Sequence, residues 1–162
     1  MSTISHSLSK AVPVRATTGT ADASFSLLNS VAVVTGASSG IGQSIAIGLA
    51  RCGARVCAVG RDKPRLEQTA SAARGESRVL PFEADLLAVA SIDRLREVLE
   101  RDFGRLDILV HSSGIIKHNP MSKAQVEDLD EQYASDLRVP YLLTKSLLPM
   151  LKASRGQVVF IN

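Results

Sequence analysis

The chain has 162 residues, 45% of them hydrophobic and 22% charged, which suits one domain with a real core. Its net charge of +3 is scattered among acids and it has no Trp, which argues against nucleic acid as a partner. No apolar run is long enough to span a bilayer, and two cysteines, Cys52 and Cys57, suggest neither a disulfide framework nor a metal site.

Residues 1 to about 26 are rich in Ser, Thr and Ala and carry no acid before Asp22. Two readings stay open: a disordered leader, which we prefer, and an organelle transit segment. The first goes with a cytoplasmic protein and the second with a mitochondrion or plastid. The two cysteines are expected to be buried thiols in a reducing compartment.

From Leu27 onward short apolar runs alternate with helical stretches. Val31 to Thr35 is apolar without period-2 alternation, as a central parallel strand buried on both faces requires. A helix follows from Ile41 to Arg51, with Gly53 placed to cap its end. Arg55 to Val59 is a second strand, and Pro64 opens a helix that reaches about Arg74. Arg78 to Phe82 is a third strand, assigned to a sheet edge because Pro81 cannot donate to a ladder. A helix from about Ala88 to Phe103 precedes a fourth strand, Leu106 to Val110. One long helix is expected from about Ala124 to Leu151, then a fifth strand, Gln157 to Ile161. This alternation predicts an α/β fold with a parallel sheet and helices on both faces.

Thr35-Gly-Ala-Ser-Ser-Gly-Ile-Gly42 joins the first strand to the first helix. Phosphate binding needs a backbone that comes close to the ligand and free N–H groups at a helix N-terminus. Gly36, Gly40 and Gly42 meet the first need, while Ser38 and Ser39 add hydroxyl donors. The loop's position, after a buried strand and before a helix, is the context such a match requires.

The spacing T-G-x-x-x-G-I-G resembles that of the short-chain dehydrogenase/reductase family, of the classical type, and the resemblance runs from about Leu27 to Asn162. It implies a Rossmann-type, doubly wound parallel sheet of order 3-2-1-4-5 over residues 27–162, truncated after the fifth strand. It also implies a nicotinamide dinucleotide as cofactor, with Ile41 beside the glycines, and a small-molecule substrate. A complete member would be a homo-oligomer, with no metal and no membrane partner. NAD-preferring members tend to carry Asp at the position of Gly60. Here Gly60 is followed by Arg61, whose guanidinium suits a 2′-phosphate, so NADP(H) is favoured over NAD(H). Asp62 blurs that local charge. Asp85 resembles the family's adenine-binding Asp, with Leu86 supplying a backbone N–H, which is the reading we favour; the alternative is a helix N-cap or turn aspartate.

Two segments depart from the family. Asn-Asn-Ala-Gly is replaced by His111-Ser-Ser-Gly114, in which Ser113 and Gly114 keep the small residues beside the cofactor. His111 is either a ribose contact in place of Asn or a structural histidine, and His118 is taken as a plain loop residue. By the resemblance, Asp136 stands at the family's relay Asn and is the one candidate catalytic position. Pro140 deprives its carbonyl of an intrahelical donor and should kink the helix. Tyr141 and Lys145 have the spacing of the family's catalytic pair. They lie on the helix before the fifth strand rather than after it, and are read as a coincidence of spacing.

The family's catalytic Ser and Tyr-x-x-x-Lys are expected beyond Asn162. The chain then reads either as the front portion of an NADP-dependent oxidoreductase acting on a carbonyl/alcohol pair, or as a non-catalytic dinucleotide-binding or subunit-interaction module.

Overall fold

A computed structural model describes residues 26–73 and 79–161. The leader through residue 25, the helix end at Arg74, the strand start at Arg78, and Asn162 lie outside the described residues.

The sheet is built from β1 (Val31–Thr35), β2 (Arg55–Gly60), β3 (Val79–Glu83), β4 (Ile108–His111) and β5 (Gln157–Phe160). All pairings are parallel and the order is β3-β2-β1-β4-β5, as expected. β1 is central and buried at every residue, which explains its lack of alternation. Pro81 sits on edge strand β3, where a missing donor costs least.

The two faces of the sheet are packed differently. Val31, Val33, Cys57, Val59 and Leu109 meet the leucine-rich faces of α3 (Val89–Asp102) and α5 (Val139–Ser154), including Leu95, Leu99, Leu143 and Leu147. On the other face Ala32, Val34, Val56 and Ala58 meet Ala46 and Ala50 of α1 (Gly40–Arg51) and Leu66 of α2 (Lys63–Ala72). Alanine against alanine lets α1 lie close to the sheet, and its N-terminus then stands directly above the end of β1. Asp62 caps α2 by accepting from the Arg65 N–H at 3.1 Å, with Pro64 in the first turn.

The single helix expected from Ala124 to Leu151 is three segments. α4 (Val126–Tyr133) runs into a π-helical turn, Ala134–Arg138, and α5 follows to Ser154. Pro140 has no N–H to give the Asp136 carbonyl. The chain widens by one residue here, with the Val139 N–H donating to the Ala134 carbonyl. In place of an uninterrupted helix with a kink, Pro140 is accommodated by a π turn that runs directly into α5. The fourth strand also begins and ends later than expected, so that His111 is its last residue rather than the first of the loop.

Candidate functional site

The C-terminal ends of the strands open onto a cleft of about 1220 Å³. It runs from Gly60 and Arg61 at the end of β2, past the glycine loop, to His111, Asp136, Pro140 and Phe160. Of the residues expected from sequence, Gly36, Ser38, Ser39, Ile41, Gly42, Arg61, Asp85, Leu86, His111, Ser113, Gly114 and Asp136 all line it. Gly40 is not among them; it begins α1.

The glycine loop is shaped by close backbone approach. Gly36 has a φ of +67°, and a Cβ there would lie 2.5 Å from the Ser112 carbonyl oxygen. A Cβ on Gly42 would lie 2.5 Å from the Gly36 carbonyl oxygen. Gly40 also has a positive φ, +57°, but nothing lies within 4 Å of where its Cβ would be. The space over Gly40 is therefore open. The first turn of α1 carries no acidic residue, and Ser39 at its N-cap makes no side-chain cap bond. An open backbone cradle with uncapped N–H groups fits a pyrophosphate.

Two buried threonines fix this loop, and sequence reasoning assigned neither of them that role. Thr35 Oγ1 accepts from the N–H groups of Ser112 at 3.1 Å and Ser113 at 3.2 Å, and from Ser113 Oγ at 3.0 Å. It thereby ties the glycine loop to the segment after β4. Thr69 Oγ1, on α2, donates to the Ala37 carbonyl at 2.9 Å and accepts from Gln43 Nε2 at 3.0 Å. The Ala37 N–H completes the anchor by donating to the Val59 carbonyl at 3.1 Å. The only available signal was Thr35's place at the head of the glycine motif.

At the β2 end a second hollow of about 580 Å³ is lined by Ser38, Ser39, Arg61, Lys63 and Arg65, with Asp62 and Glu83. Asp62 does not neutralise Arg61, because it caps α2 and pairs with Arg65 at 3.3 Å. No ion pair among the described residues engages Arg61. Asp85 is exposed at the cleft rim, where Oδ1 accepts from the Leu87 N–H at 3.1 Å. It is a turn aspartate rather than a helix cap, since α3 is capped by Ala88.

The β4 end is held by side chains. His111 is buried, with Nε2 2.9 Å from Thr144 Oγ1 and its ring stacked on Phe160 at 4.8 Å. Burial pushes its pKa down to about 4. Its Nδ1 has no hydrogen-bond partner. Asp136 lies in the π turn, and Oδ1 accepts from the Ile115 N–H at 3.0 Å. The same oxygen would stand 3.1 Å from a Cβ on Gly114. Tyr141 (64% exposed) and Lys145 lie on the solvent side of α5 and do not line the cleft. His118 is exposed in the loop after β4.

Among the described residues no group of His, Cys, Asp and Glu is placed to hold a metal, and no helix is long and apolar enough to cross a membrane.

The sequence model of the family described as short chain dehydrogenase matches residues 30–162. The chain is 34% identical over 140 residues to a D-threitol dehydrogenase of Mycolicibacterium smegmatis, covering 85% of this chain and 54% of that protein. A short chain dehydrogenase of Shigella flexneri, solved with NADP, superposes with a TM-score of 0.78 at 32% identity, over 84% of this chain and 59% of the other. An L-sorbose reductase of Gluconobacter frateurii, solved with NADPH and L-sorbose, superposes with a TM-score of 0.77 at 29% identity, over 84% and 53% of the two chains. The chain thus spans about half the length of the curated relatives it matches.

Proposed function

This chain belongs to the short chain dehydrogenase family, and from that premise we propose that its cleft takes NADP(H) in preference to NAD(H), for an oxidoreductase acting on a carbonyl/alcohol pair. The observation that carries the reading is the β2 end of the cleft. Arg61 stands there without an ion-pair partner among the described residues, and Gly60 puts no carboxylate at the end of β2 itself, where one would repel a 2′-phosphate; Asp62 and Glu83 border the hollow farther along the chain. The solved relatives holding NADP and NADPH support the same choice.

In this reading the open cradle over Gly40, with the first turn of α1, holds the pyrophosphate. Ser38 and Ser39 add hydroxyl donors, and Ile41 and Gly42 border the phosphates. Asp85 and Leu86 face the adenine, and Ser113 and Gly114 form the small-residue wall beside the cofactor. Asp136 positions that wall through Ile115. The cofactor, when bound, supplies or accepts the hydride. The small-molecule substrate is not specified by these residues.

A homo-oligomer goes with this reading, and Leu129, Tyr133, Leu137 and Tyr141 offer exposed apolar residues from α4 through the π turn to α5 for it. A cytoplasmic setting goes with it as well, both cysteines being free thiols.

Fluorescence titration with NADPH and NADH tests the proposal. NADPH should bind more tightly, by about tenfold or more, through a charge-assisted contact at Arg61. Arg61→Ala should abolish that difference and leave NADH affinity nearly unchanged. Binding of neither nucleotide would overturn the cofactor reading, and equal affinities in the parent chain would overturn the preference.

A further inference from the structure

The segment 115–119, in the loop after β4, lies along α4 and the π turn as a ladder. The Ile115 N–H donates to Asp136 Oδ1 at 3.0 Å, the Lys117 N–H to Gln132 Oε1 at 3.4 Å, and Asn119 Nδ2 to Asp128 Oδ2 at 2.7 Å. Every second residue of the segment thus meets an acceptor one helical turn from the last, with the two chains running in opposite directions. Between the rungs, Lys117 Nζ reaches Glu131 Oε2 at 2.6 Å and lies 3.9 Å from Asp128 Oδ1. Glu131 raises the Lys117 pKa and Asn119 lowers that of Asp128, so both groups keep their charge around neutral pH.

We propose that this segment is a strap that opens and closes as one unit, fastened by Lys117, and that its closed form makes the outer wall of the cleft. Ile115, Ile116 and Lys117 line the cleft together with Glu131 and Asp136. The strap holds this wall whichever ligand the cleft takes. Lys117 is a positioning residue in it: its charge sets where the wall stands against α4.

Both ends of the loop are tied down. Ser112 and Ser113 donate to Thr35 Oγ1 at the inner end, and the Gln125 N–H donates to Asp128 Oδ2 at 3.1 Å at the outer end. Between them none of residues 116–125 is buried, so the strap is held by its polar rungs and not by the core. A segment with few buried apolar contacts opens at low free energy, without unfolding its neighbours. The Lys117–Glu131 pair is exposed, and pairs of that kind are weak and screened by salt. Closure of the wall therefore depends on ionic strength.

Amide hydrogen exchange on the full chain reads the opening, each rate being taken relative to its unfolded-chain value. Lys117→Met keeps the apolar stem and removes the charge. It should accelerate the amides of residues 115 and 117 together, by about threefold to fivefold, the worth of an exposed ion pair. The acceptor for Ile115 is Asp136, which the substitution does not touch, so that amide moves only if the strap opens as a unit. Ser112 and Ser113 should keep their parent rates, and Lys117→Arg should restore those of the strap. A change from about 0.1 M to about 1 M KCl should act on the parent chain as the substitution does, and should add little to Lys117→Met. Acceleration at residue 117 alone would reduce the ladder to separate contacts and overturn the proposal. Parent rates that ignore salt would overturn it too, as would equal acceleration at Ser112 and Ser113, the mark of general destabilisation.

Discussion

On the α1 side of β1 the cleft is made by backbone packed against backbone: Gly36 against Ser112, Gly42 against Gly36, and alanine against alanine beneath them. At the β4 and β5 end, side chains do the holding. His111 is set by Thr144 and Phe160, and Asp136 reaches across from the π turn to Ile115. The outer strand there is also less covered, with Val159 and Phe160 exposed where β1 and the core of β2 are buried. A site made from backbone tolerates few residues at each position. A site made from side chains can change its residues and keep its shape. Substitutions should therefore be most damaging at the glycine loop and least at the π turn.

The sharpest check sets two glycines of one loop against each other. Gly36→Ala combines a left-handed backbone with a Cβ 2.5 Å from the Ser112 carbonyl, and should cost more than about 3 kcal/mol of unfolding free energy. Gly40→Ala has a similar φ but open space, and should cost only about 1 kcal/mol. If the pyrophosphate sits over Gly40 as proposed, this methyl should also weaken NADPH binding. Urea unfolding of both variants measures the contrast. Equal losses would mean that close packing does not shape the loop.

Much of the backbone-built flank is legible in the sequence. The buried apolar run, the glycine spacing after it and Pro81 each leave few backbone options, and each sits where expected. Less can be read where a residue's role depends on distant partners. Asp62 looked like a charge opposing Arg61, but it is spent on capping α2 and pairing with Arg65. Thr69 is an ordinary helix residue by pattern; only the packing of α2 brings it to Ala37. The effect of Pro140 was foreseeable, since a missing N–H must be accommodated. Its form, a π turn that ends one helix and begins another, depends on how α4 and α5 dock. His111 was visible as an oddity, but its orientation comes from Thr144 and Phe160, neither of them near it in sequence.

That orientation gives the next largest effect, on pH dependence. His111 titrates near 6.5 when unfolded and at about 4 in the fold, because burial disfavours its charged form. Between those values the unfolded chain holds the extra proton, so stability is full above about pH 6.5 and falls as pH drops toward 4. The loss from this one group is on the order of 3 kcal/mol at most. His111→Gln should flatten that part of the stability profile, measured by thermal melts from pH 7 to pH 4. An unchanged slope would show that the ring is not held away from water.

Thr35→Val sits between the two flanks. It keeps the β-branched shape but leaves the N–H groups of Ser112 and Ser113 without their acceptor. The cost should be about 2 kcal/mol, with hydrogen exchange at those two amides accelerating more than in β1. Uniform acceleration throughout the sheet would instead point to general destabilisation and remove the special role of Thr35.

Asp136 should give the smallest effect and the finest distinction. Its Oδ1 is an acceptor for the Ile115 N–H, and an asparagine carbonyl can accept in the same place. Asp136→Asn should therefore change stability by only a few tenths of a kcal/mol, whereas Asp136→Ala should lose about 1 kcal/mol, since the freed N–H is near solvent. The ionic form matters separately. An ionised Asp cannot donate, so if the neighbouring wall needs a donor, Asn should tighten NADPH binding while stability stays level. If both variants match the parent in melting and in binding, the bond to Ile115 is incidental, and the β4 flank is held by His111 and its neighbours without help from the π turn.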